Sequence, residues 1–249
     1  MDGGASKRIA VLCVEPPTSR VLEIGPGTGA LTAALVAAGA GVTAVEVDDD
    51  MVAILRDRSD LDAATIVHAD ALTYDYATFA AAGPWCAAGN LPYNIATPLL
   101  TMWLEAPTPP ARIVIMVQRE VADRLTAAPS TPAYGSLTVF CRFFAIAKRA
   151  FVLKPGSFYP RPGVDSAVVV LTPHARPLVD VRDRAFFLQV VRASFAYRRK
   201  TLANSLLLAL GIDRARTQSV LAALDIDSEI RAEQLDLGEF GALADALAP

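Results

Sequence analysis

The sequence predicts an α/β fold: a parallel, doubly wound sheet followed by a small domain made only of helices. Three observations carry this expectation. Short apolar segments alternate with helix-forming ones from Val21 to about Gln118. A glycine-rich turn, Gly25–Gly29, lies between the first strand-like segment and the first helical one. Beyond about residue 178 strand-like segments give way to helical periods.

In chain order, Val21–Ile24 reads as a buried strand, and Ala30–Ala38 is a run of helix formers closed by Gly39, a helix-stop residue. "GVTAVEVD" (41–48) is a second strand, and "DDMVAILRDR" opens a helix with acids in its first turn, where the helix dipole favours them. "ATIVHAD" (64–70) and "WCAAGN" (85–90) read as the third and fourth strands, with "ATPLLTMWLEA" a helix after them. "ARIVIMVQ" (111–118) is the most hydrophobic strand and is expected at the centre; "REVADRLTA" is a charged helix. "SLTVFCRFFAIAKRAFVL" (136–153) and "DSAVVVLTP" (165–173) read as the last strands, with "KPGSFYPRPG" between them. "RDRAFFLQVVRASFAY", "RKTLANSLLLAL", "DRARTQSVLAALD" and "DLGEFGALADALA" are helical. A boundary near His174–Pro177 gives residues 1–176 as the sheet domain and 177–249 as the helical one.

The composition, 53% hydrophobic and 20% charged over 249 residues, is that of a soluble globular protein. No apolar run approaches the ~20 residues that span a bilayer, and the first 20 residues lack a signal-peptide pattern, so a cytoplasmic protein with no membrane partner is expected. Cys13, Cys86 and Cys141 lack metal spacing, and His68 and His174 are far apart, so no metal is expected. A net charge of −3 argues against a nucleic-acid binder, but its distribution does not. Arg142–Lys200 holds 12 Lys and Arg against 3 Asp and Glu, a net of +9 that leaves −12 for the rest. A monomer is the default.

"EIGPGTG" lets the backbone approach a ligand closely at Gly25, Gly27 and Gly29. Glu46 closes the second strand about 20 residues on, where a carboxylate takes ribose hydroxyls in Rossmann-type sites. Glu23, inside the strand-to-loop turn, sits poorly with a pyrophosphate and suits a cationic ligand. The fingerprint E-x-G-x-G-x-G resembles that of class I S-adenosylmethionine-dependent methyltransferases, in which the acid orients the methionine moiety. That resemblance places Asp70 on the adenine amino group, with Val47 and Ala71 beside Glu46 and Asp70, and Asn90 at the end of the fourth strand, completing the cofactor's surroundings.

"NLPY" (90–93) ends the fourth strand and resembles the [NDS]-x-P-[YFW] motif of enzymes that methylate exocyclic amino groups. An adenine N6 lone pair is delocalised into the ring and is a poor nucleophile. Two acceptors on its N–H groups, the Asn90 side-chain oxygen and the Leu91 carbonyl fixed by Pro92, favour a pyramidal, nucleophilic form. Tyr93 can stack on the base, and catalysis is positioning plus electrostatics. Phe158, in "SFYPRPGVDS", matches the aromatic of an F-x-P-x-P-x-V-x-S motif that holds a flipped adenine.

"VLEIGPGTGALT", "NLPYNIATPLL", "MVQREVADRL", "YGSLTV", "FYPRPGVDSAVV" and "SFAYRRKTLANSL" fall in the order found in the small-subunit (16S) ribosomal RNA adenine dimethyltransferases. This KsgA-like resemblance covers about residues 21–240. It implies dimethylation of N6 on two adjacent adenines near the 3′ end of that RNA, S-adenosylmethionine as methyl donor, and a 30S assembly intermediate as substrate. Erm-type 23S adenine methyltransferases share the cofactor loop and both aromatic motifs but not "RRKTLANSL". Arg198, Arg199 and Lys200, with Arg192, form a basic ridge suited to phosphate contacts.

The family usually begins with an F-G-Q-x-F-L-like stretch that contacts the cofactor, and "MDGGASKRIAVLCVEPPTSR" does not match it. "SKRIAVLCVE" is expected to be the helix that follows that stretch, and a chain starting at Met1 is expected to bind cofactor weakly and show low activity. A non-catalytic RNA-binding assembly factor is therefore the second reading, and a DNA adenine methyltransferase a distant third.

Overall fold

The computed structural model describes residues 2–16 and 18–248, the side chain of Tyr93 excepted. By contacts the chain forms two compact units, residues 1–122 with 145–173, and residues 123–144 with 174–249.

The first unit opens with helix α1, Gly3–Val14, capped by the Asp2 carboxylate, which accepts from the Gly4 and Ala5 amides. This is the helix expected from "SKRIAVLCVE". Then come β1 (Arg20–Ile24), α2 (Ala30–Ala37), β2 (Gly41–Glu46), α3 (Asp49–Arg56), β3 (Thr65–His68) and α4 (Tyr76–Ala81). β4 (Cys86–Asn90), α5 (Tyr93–Glu105), β5 (Arg112–Gln118) and α6 (Arg119–Leu125) follow. Past α7 (Ser136–Phe144), β6 (Ala145–Leu153) and β7 (Ser166–Pro173) complete one seven-stranded sheet, ordered β3-β2-β1-β4-β5-β7-β6. β1 to β5 are parallel, as expected of βαβ units, whereas β7 is antiparallel to both β5 and β6, so the sheet is mixed rather than parallel throughout.

Apolar periodicity sets which faces are buried. Ile9, Ala10 and Cys13 of α1 and Leu31 and Leu35 of α2 pack with Val21, Val42, Cys86, Ala88, Val114 and Val168 in one cluster. β4, not the more hydrophobic β5, is the middle strand. Its residues are small because the sheet is tight there: a Cβ on Gly89 would lie 2.5 Å from the Ile24 carbonyl oxygen.

The second unit contains α7, α8 (Arg184–Ser194), α9 (Leu202–Leu210), α10 (Arg214–Ala223) and α11 (Leu237–Leu247). The expected strand over 136–153 is corrected: Ser136–Phe144 is a helix and only Ala145–Leu153 is extended. Val139, Phe140 and Phe143 recur at helical spacing on one buried face of α7, and Phe143 meets Phe187 of α8 with centroids 4.7 Å apart. Elsewhere in this unit Phe195 packs on Phe240, and the Tyr134 hydroxyl donates to the Leu235 carbonyl at 2.8 Å.

Candidate active site

Parallel strands place their carboxyl ends on one edge of the sheet, and loops leaving that edge enclose a cavity of about 410 Å³ in the first unit. Glu23, Gly25 and Gly27 from the end of β1, Asn90–Pro92 from the end of β4, Gln118 from the end of β5, and Phe158 with Ser166 beside β7 all line it. The glycine loop and the Asn-Leu-Pro turn, 65 residues apart in sequence, thus face one space.

The loop takes its shape from backbone that side chains resist: φ is 64° at Gly25, 55° at Gly27 and 82° at Gly29, the residue before α2. Glu46 ties the loop to β2. Its Oε2 accepts from the Gly27 amide at 3.1 Å, and Oε1 from the Val47 and Asp48 amides at 2.9 and 3.1 Å. Each carboxylate oxygen has two lone pairs, so the group keeps capacity for a ligand hydroxyl.

Glu23 is 1% exposed, and among the described residues its Oε2 has no hydrogen-bond partner. Burial pushes its carboxyl up to about 7; the neighbouring Thr32 hydroxyl pulls it down and the Glu46 charge adds to the rise. An orphaned buried carboxylate on a cavity wall is costly unless a ligand meets it. A ligand presenting a cation above the glycine loop satisfies that atom, so the donor set fits the methionine end of S-adenosylmethionine.

At the end of β4, Asn90 pairs with Met116 of β5, and the Leu91 amide donates to the Met116 carbonyl at 3.0 Å. That bond holds the Leu91 peptide in register while Asn90 stays exposed in the cavity. Pro92 caps α5; Tyr93 opens it, its side chain lying outside the described residues. Phe158 is half-buried and packs partly against the core cluster, so its ring wall is fixed, whereas Tyr159 is 98% exposed. Both ends of this loop are fastened at Asp165. Its Oδ2 accepts from Lys154 Nζ at 2.7 Å, its carbonyl accepts from the Arg119 amide at 2.9 Å, and the Lys154 ammonium holds its carboxyl below the usual range.

Val47, Asp70 and Ala71 follow β2 and β3 on the same edge of the sheet, outside the cavity lining. Val47 is exposed and Ala71 buried; exposed Asp70 accepts from the Leu72 amide at 2.8 Å. Arg192, Arg198, Arg199 and Lys200 are exposed in the second unit, with Arg198 bonded to the Pro132 carbonyl at 3.4 Å. Among the described residues no group of three His, Cys, Asp or Glu could hold a metal ion, and no helix is long and apolar enough to cross a membrane.

Two contributions escaped the sequence reading. Gln118 could have been found by the rule that singled out Asn90, since both end strands of the same parallel set. Arg58 carries no sequence signal. Its Nη1 donates to the Thr28 carbonyl inside the glycine loop, while Nε and Nη2 grip the Asp60 carboxylate.

A model of the family described as "Ribosomal RNA adenine dimethylase" matches residues 6–248. The "Ribosomal RNA small subunit methyltransferase A" of Geobacter sulfurreducens is 43% identical over 251 residues, 99% of this chain and 91% of that one. The protein of the same name from Streptococcus sanguinis is 43% identical over 91% of this chain and 81% of its own. Among solved structures, a dimethyladenosine transferase from Plasmodium falciparum superposes with a TM-score of 0.79 at 24% identity, covering 96% of this chain and 94% of that one. The 23S rRNA methyltransferase ErmE gives 0.75 at 26% identity, with 100% and 99% covered.

Proposed function

The chain belongs to the ribosomal RNA adenine dimethylase family, and from that premise we propose that it dimethylates N6 of two adjacent adenines near the 3′ end of small-subunit ribosomal RNA. We take the substrate to be a late assembly intermediate of the small subunit, and the enzyme to act as a cytoplasmic monomer. One observation carries the reading: Asn90, Leu91 and Phe158 line the same cavity as the glycine loop and the orphaned Glu23 carboxylate.

Bound S-adenosylmethionine supplies a methyl group on a cationic sulfur, an electrophile that needs no acid catalyst. Glu23, Gly25, Gly27 and Gly29 hold the methionine end, and Glu46, Val47, Asp70 and Ala71 the nucleoside end. The Asn90 side-chain oxygen accepts one N6–H and the Leu91 carbonyl the other. The residue before a proline is confined to extended backbone, so that carbonyl keeps its direction. Both acceptors would favour the pyramidal amine, whose lone pair would take the methyl group as the cofactor's carbon–sulfur bond breaks and leaves S-adenosylhomocysteine, the N6 proton passing to water. Positioning and fixed dipoles supply the acceleration. Phe158 holds the base, and Arg192, Arg198, Arg199 and Lys200 bind phosphates, which orient RNA without reading sequence.

Unmethylated small subunits incubated with the protein and labelled cofactor should yield labelled dimethyladenosine in the small-subunit RNA. Asn90→Ala should lower the rate by about 10²-fold, the cost of removing one preorganised polar group at a reacting centre, with cofactor affinity within a few-fold of the parent. A parental rate in that variant would remove Asn90 from its role. Particle binding without transfer would leave an assembly factor, and label in large-subunit RNA would instead give Erm-type specificity.

A further inference from the structure

We propose that the outer edge of the sheet, formed by β6 and joined by Arg8 of α1, is a further RNA contact that holds phosphates of the substrate strand and leads them to the cavity. The inference rests on the reading that the substrate is RNA.

β6 is the last strand of the sheet and pairs only with β7. Lys148 and Arg149 are exposed on it. Lys148 pairs with Val170, which packs on the core cluster beneath α1, and Arg149 pairs with Val169 on the opposite face, so positive charge rims both sides of the edge. α1 adds exposed Arg8, whose guanidinium lies 3.7 Å from the Phe151 ring centroid, which holds that charge against β6.

Charge sign distinguishes two explanations. Edge strands are commonly charged to prevent strand pairing between molecules, and either sign serves that purpose. Here Ala145–Asp165 carries Lys148, Arg149, Lys154 and Arg161 against one acid, Asp165, which pairs with Lys154, in a chain of net charge −3. The opposite edge is acidic: Asp48–Asp62, around α3 and beside β2 and β3, holds six Asp and two Arg. Such a separation orients a polyanion toward β6 and away from β3. The strand also leads into the site. Leu153 pairs with Ser166 on the cavity wall, and a single turn at Pro155–Ser157 delivers the chain to Phe158. From Lys148 to Leu153, across a bulge at Ala150, the strand spans four residues of β7, ~13 Å at about 3.3 Å per residue, enough to carry a track rather than a point contact.

The test is binding of the whole protein to unmethylated small subunits across a salt series, comparing the parent with Lys148→Ala/Arg149→Ala and with Lys148→Arg. Each lost single-strand phosphate contact lowers the slope of log affinity against log salt by about 0.7. The double variant should therefore lose about 1.4 of slope and bind several-fold more weakly near 0.1 M salt. KM for particles should rise in step, while kcat and cofactor affinity stay parental, and Lys148→Arg should behave as the parent. If the double variant melts early, Lys148→Glu, at an exposed position, carries the same comparison. A parent that binds and methylates RNA beside variants of unchanged slope overturns the edge contact and leaves the proposed activity standing. A parent that neither binds nor methylates RNA overturns both.

Discussion

Glu23 is an acid whose folded environment disfavours its charge, and this fixes a pH response. Its carboxyl titrates near 7 in the folded chain against 4.5 ordinarily, because it is fully buried. Between those values the folded state holds a proton that the unfolded state has released, so stability falls as pH rises from about 4.5 to 7 and levels off above. At about 1.4 kcal/mol per unit the loss is about 3 kcal/mol. Glu23→Gln removes the titrating group at nearly constant volume. Urea unfolding should find the variant more stable than the parent by up to about 3 kcal/mol at pH 8 and equal to it near pH 4.5. Cofactor binding should run the other way: parental affinity rises with pH toward 7 as the carboxylate ionises to meet the ligand's cation, whereas the variant binds weakly at every pH. A variant less stable than the parent at pH 8 would show that the carboxylate has a favourable partner in the fold. Glu23 was legible in sequence through its place in the glycine motif; that its Oε2 lacks a hydrogen bond among the described residues was not, because that depends on what α2 and β2 bring against it.

At the scale of elements, the ends of β1 and β4 are set by their closeness. Gly89→Ala would put a Cβ 2.5 Å from the Ile24 carbonyl oxygen and 3.1 Å from Leu91. Backbone cannot yield as a side-chain tip does, so β1 and β4 must separate and carry Asn90 with them. A loss of about 1–3 kcal/mol in unfolding free energy is expected, with transfer reduced at least as far as in Asn90→Ala. Arg58 acts on the other half of the site, supporting the Thr28 carbonyl from the end of α3. Calorimetry on Arg58→Ala should show cofactor affinity reduced about 10-fold, while stability changes by about 1 kcal/mol, because the Arg58–Asp60 pair is partly exposed, with side-chain exposures of 32% and 56%. Equal affinity would make that bond ornamental. β1 to β5 were legible because each is a short apolar run between helix signals. α7 was not: "SLTVFCRFF" is rich in β-branched and aromatic residues, and only packing on α8 and α11 selects its helical period over its extended propensity.

At the scale of the molecule, one compact unit is built from two separated stretches. Residues 174–249 follow a visible change, the end of strand-like segments. Residues 123–144 cluster with them although no shift in composition separates this stretch from its neighbours, since the grouping arises only when α7 meets α8 and α11. A consequence follows for truncation. A chain ending at Pro177 keeps α7 but loses the helices that cover it, exposing Val139, Phe140, Cys141 and Phe143, all buried in the intact protein. Phe143 loses the Phe187 ring. Each large side chain returned to water costs about 1.5–3 kcal/mol, and together they leave a contiguous apolar face on one short helix, a surface that associates. The truncated chain should bind a hydrophobic dye and scatter light at micromolar concentration. A second truncation, in which residues 126–144 are also replaced by a short Gly/Ser linker, should do so far less, because the uncovered face leaves with its cover. Dye binding equal in the two would show that α7 is not the surface responsible, and a clear, dye-free solution of the first would show that its aromatic face finds other cover within the shortened chain.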